Sequence, residues 1–123
     1  MFDVTNNNII TISRGDVAET SLYINLGTEL EPLNYELDEN DRVYLGIMEP
    51  NQPFELALVK KVFTKEDFDF ENHCLNIIFK SEDTEFLVPG NYYYEIKLFR
   101  PSAVLGGIDK VDTVVSKRRF IVI

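Results

Sequence analysis

The chain has 123 residues, 45% of them hydrophobic and 27% charged, a length and balance that fit one globular domain spanning residues 1–123 and exclude the low-hydrophobicity regime of disorder. Twenty-one acids against twelve Lys and Arg leave a formal charge of -9, which repels phosphate backbones and excludes general nucleic-acid binding. A single cysteine, Cys74, excludes an intrachain disulfide, and His73 beside it does not make a zinc ligand set.

The opening, MFDVTNNNIITISRG, has neither the basic nor the apolar region of a secretion signal, and no run approaches the ~20 apolar residues of a membrane span. The chain is therefore expected to be made, and to dissolve, in a cytoplasm, with no membrane partner.

Taken in chain order, period-two alternation recurs, and no segment keeps a helical period for more than about two turns. Residues 9–13 (IITIS) put Ile10 and Ile12 on one face. In the strand predicted at 20–26 (TSLYINL), Leu22, Ile24 and Leu26 oppose Ser21, Tyr23 and Asn25. A polar, acidic connection follows, with turn signals at Pro32, Asn34 and residues 38–41. Residues 42–48 (RVYLGIM) alternate Val43, Leu45 and Ile47 against Tyr44, Gly46 and Met48, and Pro50, Asn51 and Pro53 close the strand.

A third run covers 54–64 with two lysines in its middle, and a strand at 75–80 places Leu75, Ile77 and Phe79 together. Ser81, Asp83 and Thr84 are suited to one helical turn before Pro89 and Gly90. The clearest strand is YYYEIKLF, with Tyr92, Tyr94, Ile96 and Leu98 on one face and Tyr93, Glu95, Lys97 and Phe99 on the other. A long loop is expected at 100–107, then two closing strands at about 110–115 and 117–123. Seven to eight short strands with turns between them predict an all-β, immunoglobulin-like antiparallel sandwich.

Gly15 and Asp16 lie where the chain must bend between two strands. Glycine supplies positive φ, and the aspartate is suited to hydrogen-bond amides two residues on. Arg14-Gly15-Asp16 is therefore expected to be a turn rather than an adhesion signal, which would need a secreted protein.

Several acidic or reactive groupings point to no chemistry. Asp67, Asp69 and Glu71 lack the glycine and distal glutamate of a calcium loop, and the Asp38 to Asp41 cluster is expected to be a plain turn, so no metal is expected. His73 and Cys74, adjacent on a strand, would point to opposite faces, and Gly106-Gly107 lacks the strand-to-helix context of a phosphate loop. No catalytic residue, cofactor site or enzymatic activity is expected. Lys117, Arg118 and Arg119 are expected at a solvated strand edge, available to an acidic neighbour.

The ordered set of Arg14-Gly15-Asp16, an alternating strand, a polar stretch, RVYLGIM, SEDTEFLVPGNYYYEIKLF and a closing DTVVSKRRFIVI hairpin resembles the immunoglobulin-like N-terminal domain of bacteriophage baseplate upper proteins and related phage virion proteins. Gly15 and Asp16 match that family's opening turn, Asp83 and Thr84 the pre-turn, Pro89 and Gly90 the punctuation, and Tyr92, Tyr94, Glu95 and Ile96 the strand after it. The acidic connection at 30–41 departs from the pattern.

The resemblance implies a non-enzymatic structural protein of the virion, assembled in the host bacterial cytoplasm. It would be a docking module for tail, baseplate, neck or head-fibre assembly, held as a homo-oligomer against other virion proteins. The alternatives are a capsid decoration protein and a carbohydrate-binding adhesion module that takes a glycan. Because aromatics and Arg anchor interfaces, Tyr23, Tyr44, Tyr93, Phe99 and Arg100, on faces opposite the predicted core or beside the long loop, are the candidate contact residues.

Overall fold

The computed structural model describes residues 1–123 except Glu29 and Pro32, so the turn expected at Pro32 lies outside the described residues. The strands are β1 (Phe2–Val4), β2 (Ile10–Ile12), β3 (Ala18–Leu22), β4 (Arg42–Met48), β5 (Val59–Phe63), β6 (Phe68–Asp69), β7 (Cys74–Phe79), β8 (Gly90–Arg100) and β9 (Lys110–Val122), with one helical turn, α1 (Ser81–Thr84). They form a six-stranded sheet, β1-β2-β9-β8-β4-β5, and a three-stranded sheet, β3-β7-β6. From β3 onward this is the order of a variable-type immunoglobulin sandwich, with its B-E-D sheet against its G-F-C-C′ sheet.

Alternation fixes the core. Val43, Leu45 and Ile47 of β4, Leu75, Ile77 and Phe79 of β7, and Tyr92, Tyr94, Ile96 and Leu98 of β8 are all buried between the sheets. A run of rings ties the layers together: Phe79 of β7 lies 6.1 Å from Phe2 and 5.6 Å from Phe120, which meets Tyr94 at 6.2 Å. At the start of β8 the Tyr92 hydroxyl donates to the Val88 carbonyl at 2.6 Å, the tyrosine corner of immunoglobulin sandwiches.

The turn between β2 and β3 docks on α1. Gly15 takes φ +81°, and its N–H donates to the hydroxyl of fully buried Thr84 at 2.9 Å. Asp16 closes the turn through its own amide, bonded to the Ser13 carbonyl at 3.0 Å. Its carboxylate does not cap later amides as expected, but takes the Met1 amine at 2.7 Å. Asp83 accepts from the Lys80 amide at 2.7 Å, ordering the start of α1, and from Lys61 Nζ of β5 at 2.6 Å.

Several sequence expectations change. Among the described residues there are nine strands instead of seven or eight, because β1 and β6 are too short to show a period. The sandwich is not wholly antiparallel, since β2 pairs parallel with β9 through Ile10↔Phe120 and Ile12↔Val122. The closing hairpin is one continuous strand: β9 follows β8 throughout, with register shifts at Tyr94/Ile96 and Ile96/Lys97. Across those shifts the buried phase passes from Phe120 and Val122 to Val115, so the pattern reads as two strands although the backbone never turns.

The 20–26 run pairs with β7 only as far as Leu22. Beyond it Leu26 and Ile24 bond to Leu33 and Tyr35 of the acidic connection, which also buries Leu37 completely. In the 54–64 run, residues Phe54–Leu56 form a 3-10 turn and only Val59–Phe63 join the sheet.

Candidate docking surface

On the outer face of the six-stranded sheet, Tyr44 lies opposite Val62 of β5 and Lys97 of β8, while Phe99 lies opposite Arg42 of β4 and Val111 of β9. Val62 and Val111 are 53% and 61% exposed, and Tyr44 is exposed beside them. These four apolar side chains span four strands at one end of the sheet. The loop joining β8 to β9 at the same end of those strands adds Val104, Leu105 and Ile108, all well exposed.

The middle of this face is closed by the chain itself. The β4–β5 connection folds back so that Phe54 lies over Gly46, where a Cβ would come within 2.8 Å of the ring. Lys97 Nζ sits 4.9 Å from the same ring centroid, and Lys60 Nζ bonds the Glu55 carbonyl at 3.0 Å.

Beyond this roof, Tyr93 pairs in register with Met48 and Arg119 and lines a cleft of about 510 Å³ with Asn6, Asn7, Asn8, Ile9 and the Lys117, Arg118, Arg119 run. Those cations were expected at a sheet edge. β9 is interior where β2 covers it, at Phe120–Val122, and has no partner strand on that side before Phe120 among the described residues.

The sequence candidates therefore divide. Tyr44, Phe99 and Tyr93 share one outer face, with the roof between the first two and the third. Tyr23 is 61% exposed but lies just past β3, in the other sheet. Arg100 is in the phase of buried Leu98: its guanidinium bonds Asp112 at 2.6 Å and lies 5.5 Å from the Tyr35 ring centroid, bracing the acidic connection. Val62 and Val111 were missed because each follows directly on a lysine in a lysine-rich or polar run. The aliphatic loop was read only as a turn segment.

The acidic groups are engaged in local structure. Buried Asp41 accepts from the Tyr35 hydroxyl and, at 2.9 Å, from the Asp38 amide. Burial, then this bond to Asp41, raises the Tyr35 pKa above its ordinary value. Asp69 accepts from the Glu71 and Asn72 amides and from the Asn72 side chain, the last of these chiefly holding its carboxyl below the usual range. Asp67 caps the 3-10 turn Lys65–Asp67 through the Thr64 amide. Among the described residues no group of three His, Cys, Asp or Glu is placed to hold a metal ion. His73 faces Glu36 at 2.5 Å while Cys74 is buried, so the two do not meet one substrate. Among the described residues no helix is long and apolar enough to cross a membrane.

No protein-family model, curated protein or solved structure matches the chain.

Proposed function

We propose that the chain is a non-enzymatic structural module of a bacteriophage particle, seated on neighbouring virion proteins through the outer face of its six-stranded sheet. The observation that carries this reading is the apolar row of Val62, Tyr44, Phe99 and Val111, continued by Val104, Leu105 and Ile108 in the adjoining loop. A chain of net charge -9 that leaves five aliphatic side chains and Tyr44 exposed around a half-buried Phe99 at one end presents the pattern of a contact surface.

The phage assignment rests on the resemblance carried by Gly15, Asp16, Asp83, Thr84, Pro89, Gly90, Tyr92 and Tyr94. The bonds from Gly15 to Thr84 and from Tyr92 to Val88 support treating those residues as one structural set. Repetition of the chain on a symmetric particle would multiply a modest single contact into a stable attachment. Quantitative mass spectrometry of particles purified from the phage that encodes the chain is the test. The chain is expected in a fixed copy number per particle, and its absence from washed particles contradicts the proposal.

A further inference from the structure

The cleft beside Tyr93 lies apart from the apolar row and has a different chemistry. Its walls hold three asparagines, one isoleucine (Ile9), one tyrosine and three cations, with no carboxylate among the lining residues. Among the described residues none of the three cations is in an ion pair. Lys117 Nζ donates to the Gln52 carbonyl at 2.6 Å, Arg118 to the Ser116 hydroxyl at 3.0 Å, and Arg119 to the Asn91 side chain at 3.2 Å. Neutral acceptors orient these groups and leave their charge uncompensated, which is how an anion site is prepared.

The backbone brings them together. Consecutive residues on a regular strand alternate faces, but the register shifts in β9 fall just before Arg118, and β2 has not yet begun on the neighbouring side. Side chains of both phases therefore reach one cleft across the open sheet edge.

The opposite wall is fixed too. Asn8 holds φ +60°, and its carbonyl accepts from the buried Tyr94 hydroxyl at 2.5 Å. Tyr93 and Lys117 also line a second cleft of about 290 Å³ with Pro50 and Asn51, the latter at φ +65°. The two clefts adjoin at Tyr93 and Lys117, and together they make up one groove. The larger cleft between β4 and β6 is different, because the carboxylates of Glu39 and Glu66 line it beside Arg42 and Lys65.

We infer that this groove binds an acidic saccharide, with a sugar carboxylate on Arg118, Arg119 and Lys117, a ring face against Tyr93, and hydroxyls on the asparagine amides. Amide side chains both donate and accept, as hydroxyls require. Ile9 and Pro50 are the lining's aliphatic side chains, one in each cleft, set among amides and cations, which favours a sugar over an acidic peptide with a large apolar anchor. The volume is within the roughly 300–1,000 Å³ of small-ligand sites.

The test is a titration of the folded chain, followed by backbone amide NMR shifts, with trigalacturonate, maltotriose as the neutral control and hexaglutamate as the acidic peptide. Trigalacturonate is expected to move the signals of residues 6–8 and 117–119, and to bind at least about tenfold more weakly to the Lys117→Gln/Arg119→Gln variant. Tyr93→Ala is expected to lose more affinity than Tyr93→Phe, which keeps the ring. All variants change exposed or half-exposed side chains, and thermal melts confirm that each is folded. Binding of hexaglutamate as tight as that of trigalacturonate overturns the inference in favour of a peptide site. Equal binding of maltotriose removes the role of charge, and absence of binding by all three overturns the site.

Discussion

At the scale of single residues, the most informative bond joins Gly15 to Thr84 across 69 positions of sequence. Thr84 is fully buried, so Thr84→Val leaves the Gly15 N–H without its acceptor and is expected to cost about 1–3 kcal/mol in urea denaturation. Thr84→Ser keeps the hydroxyl and should lose less. Gly15→Ala meets no clash, since its Cβ would have only ordinary contacts, but the positive φ costs an L-residue roughly 1–2 kcal/mol. Tyr94 gives a pH signature. Burial pushes its hydroxyl up to about 12, whereas an unfolded tyrosine titrates near 10. Above pH ~10 the unfolded chain releases a proton that the folded chain keeps, so the stability present below pH ~10 is lost as pH rises toward 12. Tyr35 adds to the loss with the same sign. Urea midpoints measured from pH 8 to 11.5 should be flat and then fall, and Tyr94→Phe should make that fall shallower.

At the scale of elements, β9 carries the sharpest expectation. Phe120 and Val122 fix its C-terminal half in the core and Val115 fixes the middle, in opposite phases joined by the register shifts. Deleting Ser116 removes one of the extra residues and turns one half of the strand inside out. The expected loss, read from chemical denaturation, is at least about 3 kcal/mol, the scale of a large core truncation. Wild-type stability in the deletion variant would mean that the shifts do not set the register. The same strand shows where sequence patterns stop being legible. β8 alternates without interruption and β4 does so in its inward residues, although Gly46 and Met48 of its other face are buried too, so their faces were readable from Val43, Leu45 and Ile47 or from Tyr92, Ile96 and Leu98. A bulge breaks the phase without breaking the strand, and a period-two pattern registers that as an end. Phe54 was misplaced for another reason: its packing on Gly46 is a contact between a loop and a sheet face, which no local period encodes. Leu37 likewise sits alone among acids yet is buried.

The candidate surface was legible to the same degree. Outward phase in β4 and β8 identified Tyr44, Tyr93 and Phe99, and the same phase argument places Arg100 inward with Leu98, against its selection for adjacency to a loop. The Tyr93 groove required tertiary structure, because it joins the turn between β1 and β2 to a strand more than a hundred residues later.

At the scale of the whole molecule, the sandwich presents two separated features on one sheet: an apolar row with an aliphatic loop, and a basic groove in an acidic protein. The row argues for a partner that removes Tyr44, Phe99, Val62 and Val111 from water, and association of that kind is driven by apolar burial at roughly 25 cal/mol per Å² before ordering costs. The groove argues for a small charged ligand whose binding falls with salt, since exposed charges are screened over about 8–10 Å at 0.1–0.15 M ionic strength. Docking through the row should change little with salt, which separates the two experimentally. The measurement that tests the central claim most directly is the mass, by light scattering, of particles assembled without the chain, before and after the purified chain is added. A saturable gain of a fixed number of copies is expected, lost when Tyr44 and Val111 are both changed to Ser in a chain that still melts cooperatively. A particle mass that does not change on adding the folded wild-type chain would contradict it.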